Sequence, residues 1–220
     1  MVKFLFNTER ARKLQEILSA RVLSELPDFP RIDVSKLTYI AAFDSAYTDS
    51  KQCAVVVLYD YTKRAVIERS YAVIEARVPY IPGLLAFREV PGYMRALSKL
   101  PVKPQLILVD GHGLTHPRSF GIATHLGLVL GVPSIGVAKK HLYGEVFETP
   151  DKRKLIRAHG LVVGEILEHE GRKLYVSVGY KIHLEDAVNI VKSLLVKGID
   201  LPIPLHEADR YSKIIKRRYK

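Results

Sequence analysis

With 220 residues, 48% of them hydrophobic, the chain can build a full α/β core, which excludes a disordered tail. No apolar run approaches the roughly 20 residues of a membrane span, and the single Cys53 excludes an internal disulfide framework and fits a cytoplasmic location. Lys and Arg number 34 against 23 Asp and Glu, a formal charge of +11 that attracts polyanions. No lipidation motif, cleavable signal or basic amphipathic anchor is visible, so nucleic acid is the expected polyanion and a membrane is not.

Residues 8–24 place Leu14, Ile17, Leu18 and Val22 on one stripe and predict an amphipathic helix, with Thr8 as its N-cap and Pro27 and Pro30 beyond its end. KLTYIAAFDSAY (36–47) predicts a strand buried at its centre that turns polar at Asp44. QCAVVVLYDY and AVIERSYAVIEARV follow as strands joined by a hairpin turn at DYTK (60–63). Residues 84–99 read as helical but interrupted at Pro91 and Gly92. QLILVD (105–110) is a short apolar strand of the kind buried inside a sheet. RSFGIATHLGLVLG is a helix ended by Gly131, and PSIGVAK is another buried strand. LVVGEILEH and KLYVSVGYKI pair around the turn EGR, and LEDAVNIVKSLL and HEADRYSKIIKRRY are helices. The order predicts one α/β domain over residues 1–220, with a mixed central sheet flanked by helices.

The carboxylates stand out by position. Asp44 sits on the first strand and Asp110 ends the fourth, and apolar residues precede both, leaving few solvated reasons for a charge. Adjacent strands lie about 5 Å apart, so neighbouring strands would bring both acids to one cation. Glu89 lies between them in AFREVPG, and Asp209 lies in the last helix within PLHEAD. Hard oxygen ligands on a rigid sheet suit Mg²⁺, with Mn²⁺ as a substitute, and such an ion beside a basic surface fits phosphodiester chemistry. Taken singly, each acid reads more readily as a strand-end residue, an N-cap or half of a salt bridge than as a ligand. His112 and His116 have i,i+4 spacing, but Gly111, Gly113 and Pro117 argue against the helix that a zinc pair would need. Beside a metal site, His116 would hold a water or a phosphate. The basic tail KIIKRRYK reads as a solvated helix face.

FDSAY, VPYIPGLLAFREVP, LVDGHGLTHPRSFGIATHLG, GVPSIGVAKKHLYGE and PLHEADRY resemble, in order, the motifs of the endonuclease V family of inosine-directed nucleases. The resemblance runs from about Phe43 to Tyr211. It implies an RNase H-like fold and Mg²⁺-dependent hydrolysis of the second phosphodiester bond on the 3′ side of deoxyinosine or inosine, the first step in repairing deaminated adenine. Matched motif by motif, it implies that Asp44, Glu89, Asp110, His116 and Lys139 are catalytic, with Asp44, Asp110 and Asp209 as metal ligands. The position of Asp209 varies within the family between an acid and a histidine.

Hypoxanthine differs from adenine by O6 and a protonated N1. A tight pocket of main-chain groups can read both if nothing bulky intervenes. Gly83, Gly111, Gly113 and Gly121, with Leu85 and Ile122 as apolar walls, are the expected base pocket. Without the resemblance, tight turns and helix packing would be the preferred account of these glycines. Pro79, Tyr80, Ile81 and Pro82 form a stiff apolar segment, expected to fill the gap left by an extruded nucleotide. The expected partner is inosine-containing DNA, or RNA, bound by a monomer. The competing readings are a metal nuclease directed at branched or flapped structures, and a module of the same fold that binds nucleic acid without cutting it.

Overall fold

The computed structural model describes residues 6–219. Its elements are, in order, α1 (Thr8–Glu25), two short 3₁₀ turns (Leu26–Asp28 and Val34–Lys36), β1 (Tyr39–Tyr47), β2 (Lys51–Asp60), β3 (Ala65–Glu75), α2 (Leu85–Leu97), β4 (Leu106–Asp110), α3 (Ile122–Leu130), β5 (Ser134–Ala138), β6 (Glu145–Glu148), β7 (Lys154–Ala158), β8 (Leu161–His169), β9 (Arg172–Tyr180), α4 (Leu184–Ser193) and α5 (Ile203–Arg218).

One mixed sheet carries every strand, in the order β3-β2-β1-β4-β5-β9-β8-β7-β6. β1 to β3 form an antiparallel meander, and β4 and β5 run parallel to β1. This is the RNase H-like arrangement, extended on its far side by four antiparallel strands. Side chains alternate across a strand. Ile40, Ala42, Val55, Val57 and Leu108 therefore face Leu205, Ala208 and Ile215 of α5. Ala41, Phe43, Val56 and Val109 face Val90 and Tyr93 of α2 and Leu126 of α3.

Both predicted hairpin turns form. Asp60 Oδ1 accepts the main-chain N–H groups of Thr62 and Lys63 at 3.0 and 2.8 Å and folds the first of them. Glu170 and Gly171, with φ of 49° and 70°, make the second a two-residue turn of the kind that matches strand twist. Gly131, at φ 70°, caps α3 as expected.

Three expectations change. Asn7, not Thr8, caps α1: its Oδ1 accepts the Arg10 N–H at 2.9 Å. α2 runs unbroken from Leu85 to Leu97 with Pro91 inside it. The packing explains this, because Gly92 lets the helix lie against β2, where a Cβ would stand 2.4 Å from Gln52 Oε1 and 2.8 Å from the Ala54 Cβ. Residues 145–158 contain a further hairpin, β6–β7, that the sequence pattern did not reveal. Among the described residues, no helix is long and apolar enough to cross a membrane.

A candidate metal and base-binding site

β1 and β4 pair in parallel with Phe43 opposite Val109, so the next residue of each strand, Asp44 and Asp110, emerges on the same α5-facing side. α5 crosses this corner and adds Asp209. Carboxylate oxygens of the three residues lie within 4.8 Å of one another, the one such group of potential ligands among the described residues. Asp44 is buried, and its Oδ2 accepts a hydrogen bond from Ser212 Oγ at 2.7 Å. Ser212 stands one turn beyond Asp209 on α5. Lys139, just past β5, brings its ammonium 2.8 Å from Asp110 Oδ2 and 3.4 Å from Asp209 Oδ1. Lys213 pairs with the other Asp209 oxygen at 2.5 Å.

Three carboxylates in this space repel one another. Burial, then the Asp110 charge, lifts Asp44 from 3.8 to about 7 against the pull of the Ser212 hydroxyl. Burial works to raise Asp209 as well, but Lys213 and Lys139 outweigh it and hold that carboxyl below its ordinary value. Burial opposes the charge on Lys139, yet Asp110 and Asp209 prevail and raise it. The three carboxylates face only two ammonium groups, Lys139 and Lys213, so the cluster is short of positive charge. Its donors are all hard oxygens, which is the chemistry that a divalent cation such as Mg²⁺ fits.

Glu89 is buried on α2, outside the triad but close enough to feel Asp44. Tyr47 donates to its Oε1 at 3.1 Å and Tyr93 to its Oε2 at 2.9 Å. Burial raises Glu89 from 4.5 to about 8 despite these two donors. The folded chain thus keeps this proton at pH values where the unfolded chain has lost it. The stability it contributes is complete below about pH 4 and disappears as pH rises through about 8. Without divalent metal, Glu89→Gln is expected to match the native chain in thermal stability at pH 4 and to exceed it increasingly toward pH 8.5. Melting curves in chelator test this, and a pH-independent difference would mean that Glu89 titrates alike in the folded and unfolded chains.

Beside the acids lies a cavity of about 290 Å³. Its walls start at Gly111, the residue after Asp110, and at Leu85 and Ala86, one helical turn before Glu89. Of the predicted residues, Gly83, Gly121, Ile122 and His116 also line it, with Tyr80 and Pro82 at one side. Tyr80 is 68% exposed. Pro79, Ile81 and Gly113 do not reach the cavity. The missing side chain of Gly113 makes room for β9 instead: a Cβ there would stand 2.0 Å from the Val178 carbonyl oxygen. The N–H groups of Gly111, Gly113 and Gly121 are already donated to Val137 O, Ser177 Oγ and Gly113 O.

His116 is buried, and burial holds its pKa down to about 4, so the ring is neutral. Its Nδ1 accepts the Arg118 N–H at 3.1 Å, which leaves the proton on Nε2, 3.1 Å from the Gly83 carbonyl. Neither nitrogen remains for a water or a phosphate, so the residue acts on the cavity by holding Gly83. Gln15 was not singled out from the sequence. Its amide also donates to the Gly83 carbonyl, at 3.0 Å, and to Phe120 O, and it accepts from Arg118 Nε at 2.6 Å. Arg118 Nη2 supplies a third donor to the same carbonyl at 2.8 Å. Gly83, at φ +78°, is thereby fixed to α1 and to the loop before α3. The buried face of α1 is Ala11, Gln15, Ser19 and Val22, whereas Leu14 and Ile17 of the expected stripe are exposed, and the partners of Gln15 lie 68 and 105 residues away.

The family model described as Endonuclease V matches residues 22–210. Endonuclease V of Desulfurococcus amylolyticus is 56% identical over 211 residues, covering 94% of this chain and 95% of that one. The crystal structure of Endonuclease V from Streptomyces avermitilis is 31% identical, superposes with a TM-score of 0.85, and covers 100% of this chain and 97% of its own. Endonuclease V of Ciona intestinalis, in complex with a 23mer DNA containing an inosine followed by a ribo-adenosine, shares the fold at 24% identity with a TM-score of 0.80, covering 98% of this chain and 100% of its own.

Proposed function

The chain belongs to the endonuclease V family, and on that premise we propose that it is a Mg²⁺-dependent endonuclease that recognises deoxyinosine or inosine in nucleic acid. It hydrolyses the second phosphodiester bond on the 3′ side and so initiates repair of deaminated adenine. The observation that carries this reading is the pairing of a three-carboxylate cluster with a small cavity that begins at Gly111, the residue that follows Asp110 at the end of β4. The inosine-containing DNA bound by the Ciona intestinalis relative supports it.

Asp44, Asp110 and Asp209 hold the cation in this proposal, with Mn²⁺ able to replace Mg²⁺. When bound, the ion supplies Lewis acidity to the phosphate and makes a bound water more acidic. Lys139 orients Asp110 and offsets charge on the leaving oxygen. Glu89, poised near neutrality, holds or releases the proton that moves during hydrolysis. His116 keeps the Gly83 loop in place.

The base enters the cavity between Leu85 and Ile122, with Gly83, Gly111 and Gly121 allowing close approach. The first-turn N–H groups of a helix have no partners within it, and Ile122 opens α3 toward the cavity. The Ala123 N–H is already donated to His112 O at 3.1 Å, so the Ile122 N–H is the donor suited to receive O6. Tyr80, exposed on its proline-flanked loop, fills the space that the base leaves. The protein acts as a cytoplasmic monomer.

The test is cleavage of inosine-containing, flapped and plain oligonucleotides in Mg²⁺, with product ends mapped at single-nucleotide resolution. One cut, at the second bond 3′ to inosine, is expected. Preference for the flapped strand over the inosine strand would replace this reading with a structure-directed nuclease, and no cutting in either Mg²⁺ or Mn²⁺ would replace it with a binding module.

A further inference from the structure

A second cavity, of about 540 Å³, lies between the end of β3 and one flank of α2. Three guanidinium groups, from Arg77, Arg88 and Arg95, meet there with one carboxylate, Glu75. Glu75 pairs with Arg77 at 3.3 Å, and both side chains are about 70% exposed, so this bond is weak. Arg88 and Arg95 have no carboxylate partner among the described residues, in a chain that forms many ion pairs elsewhere.

Arg88 is held in one orientation. Its guanidinium lies 4.1 Å from the centroid of the Tyr47 ring, and its Nη1 donates to Val78 O at 3.1 Å. Its Nε is buried and has no hydrogen-bond partner among the described residues. A fixed guanidinium with an unused buried N–H is equipped for an incoming acceptor, and the planar fork matches phosphate oxygens. Val73, Val78, Phe87 and Pro91 supply apolar walls, which lower the local dielectric and strengthen such a contact.

Resting on the inosine-nuclease reading above, we infer that the Arg77–Arg88–Arg95 cavity binds backbone phosphates of the strand opposite the inosine in a duplex. The chain runs directly from one cavity to the other through the segment that bears Tyr80. Val78, which lines the arginine cavity, immediately precedes Pro79, whereas Tyr80 and Pro82 line the base cavity. A strand whose base enters one cavity lies on one side of that segment, and its complement lies on the other. The site adjoins the chemistry as well, because the Tyr47 ring beneath Arg88 carries the hydroxyl that donates to Glu89.

The test is the double variant Arg77→Ala/Arg95→Ala, which leaves Arg88 and its Tyr47 contact in place. Binding is measured by fluorescence anisotropy in chelator, against salt, for an inosine oligonucleotide alone and annealed to its complement. Each phosphate contact with a duplex contributes about 0.9 to the slope of log affinity against log salt. The double variant is expected to lower the duplex slope by about 1.8, with at least a tenfold loss of duplex affinity at low salt and less than about a twofold change for the single strand. Arg77→Lys/Arg95→Lys should restore most of the slope. An unchanged duplex slope, or an equal loss with the single strand, overturns the assignment. Inorganic phosphate at constant ionic strength is the control: if it stabilises the native chain but not the double variant while the duplex slope is unchanged, the cavity is a free-anion site. Failure of the base reading is separately visible, because the native chain would then bind inosine and adenosine strands equally.

Discussion

Asp110→Asn is expected to reduce cleavage of an inosine strand in Mg²⁺ by about a thousandfold or more while leaving the strand bound. The substitution keeps the shape of the side chain and removes one of three charges that would hold the cation. A loss of about 4 kcal/mol from transition-state stabilisation corresponds to roughly that factor. The same substitution breaks the 2.8 Å pair with Lys139, so a loss of activity alone would not separate chemistry from folding. Stability does separate them. In the metal-free chain Asp110 raises the neighbouring Asp44, which means that the two carboxylates oppose each other. Removing one is therefore expected to leave the melting temperature in chelator unchanged or higher, and to abolish the rise that Mg²⁺ produces in the native chain. A near-normal cleavage rate would remove Asp110 from the site. A lower melting temperature in chelator would make it a structural residue.

Asp44 and Asp110 were legible in the sequence because each ends an apolar run, and the pairing of β1 with β4 then places them side by side. Their meeting with Asp209 was less so. It depends on how α5 crosses the sheet, and only an apolar stripe with few markers records that. Local signals also misled where tertiary packing outweighed them. Pro91 and Gly92 argue against a helix by propensity, but the buried face of α2 against β2 holds it together. The β6–β7 hairpin has the opposite difficulty. Glu145, Val146 and Glu148 of β6 are exposed, so no alternating apolar pattern marks it, and its pairing to β8 maintains it. Residue type revealed His116 but not its task. A histidine beside glycines suits a water or a phosphate, whereas here Nδ1 is taken by the Arg118 N–H and Nε2 by the Gly83 carbonyl. Gln15 was illegible because nothing within its own helix indicates a partner at Gly83 or Phe120.

Gly113 is where the sequence reading and the structure lead to different experiments. As a wall of the base pocket, Gly113 replaced by valine would fill the cavity and erase the preference for inosine in a stable enzyme. The structure instead sets Gly113 against β9, where an added Cβ would meet the Val178 carbonyl oxygen at 2.0 Å, the Val178 carbonyl carbon at 2.6 Å and the Gly179 Cα at 2.9 Å. All three are main-chain atoms of a strand paired on both sides, so they cannot turn aside as a side chain would. The neighbouring contacts tighten the constraint. Gly113 N–H donates to Ser177 Oγ and Leu114 N–H to Val178 O, each at 2.7 Å, and moving the loop away breaks both. Even Gly113→Ala is therefore expected at or beyond the upper end of overpacking costs, about 3 kcal/mol. In a chain of this size that lowers the melting temperature by roughly 6–12 °C, and valine should prevent accumulation of folded protein. The molecules of Gly113→Ala that do fold should still prefer inosine, because their cavity walls at Gly83, Leu85, Gly111 and Ile122 are untouched. Melting curves and an inosine-to-adenosine cleavage ratio on the same preparation decide the matter: a normal melting temperature with a lost preference would return Gly113 to the pocket wall.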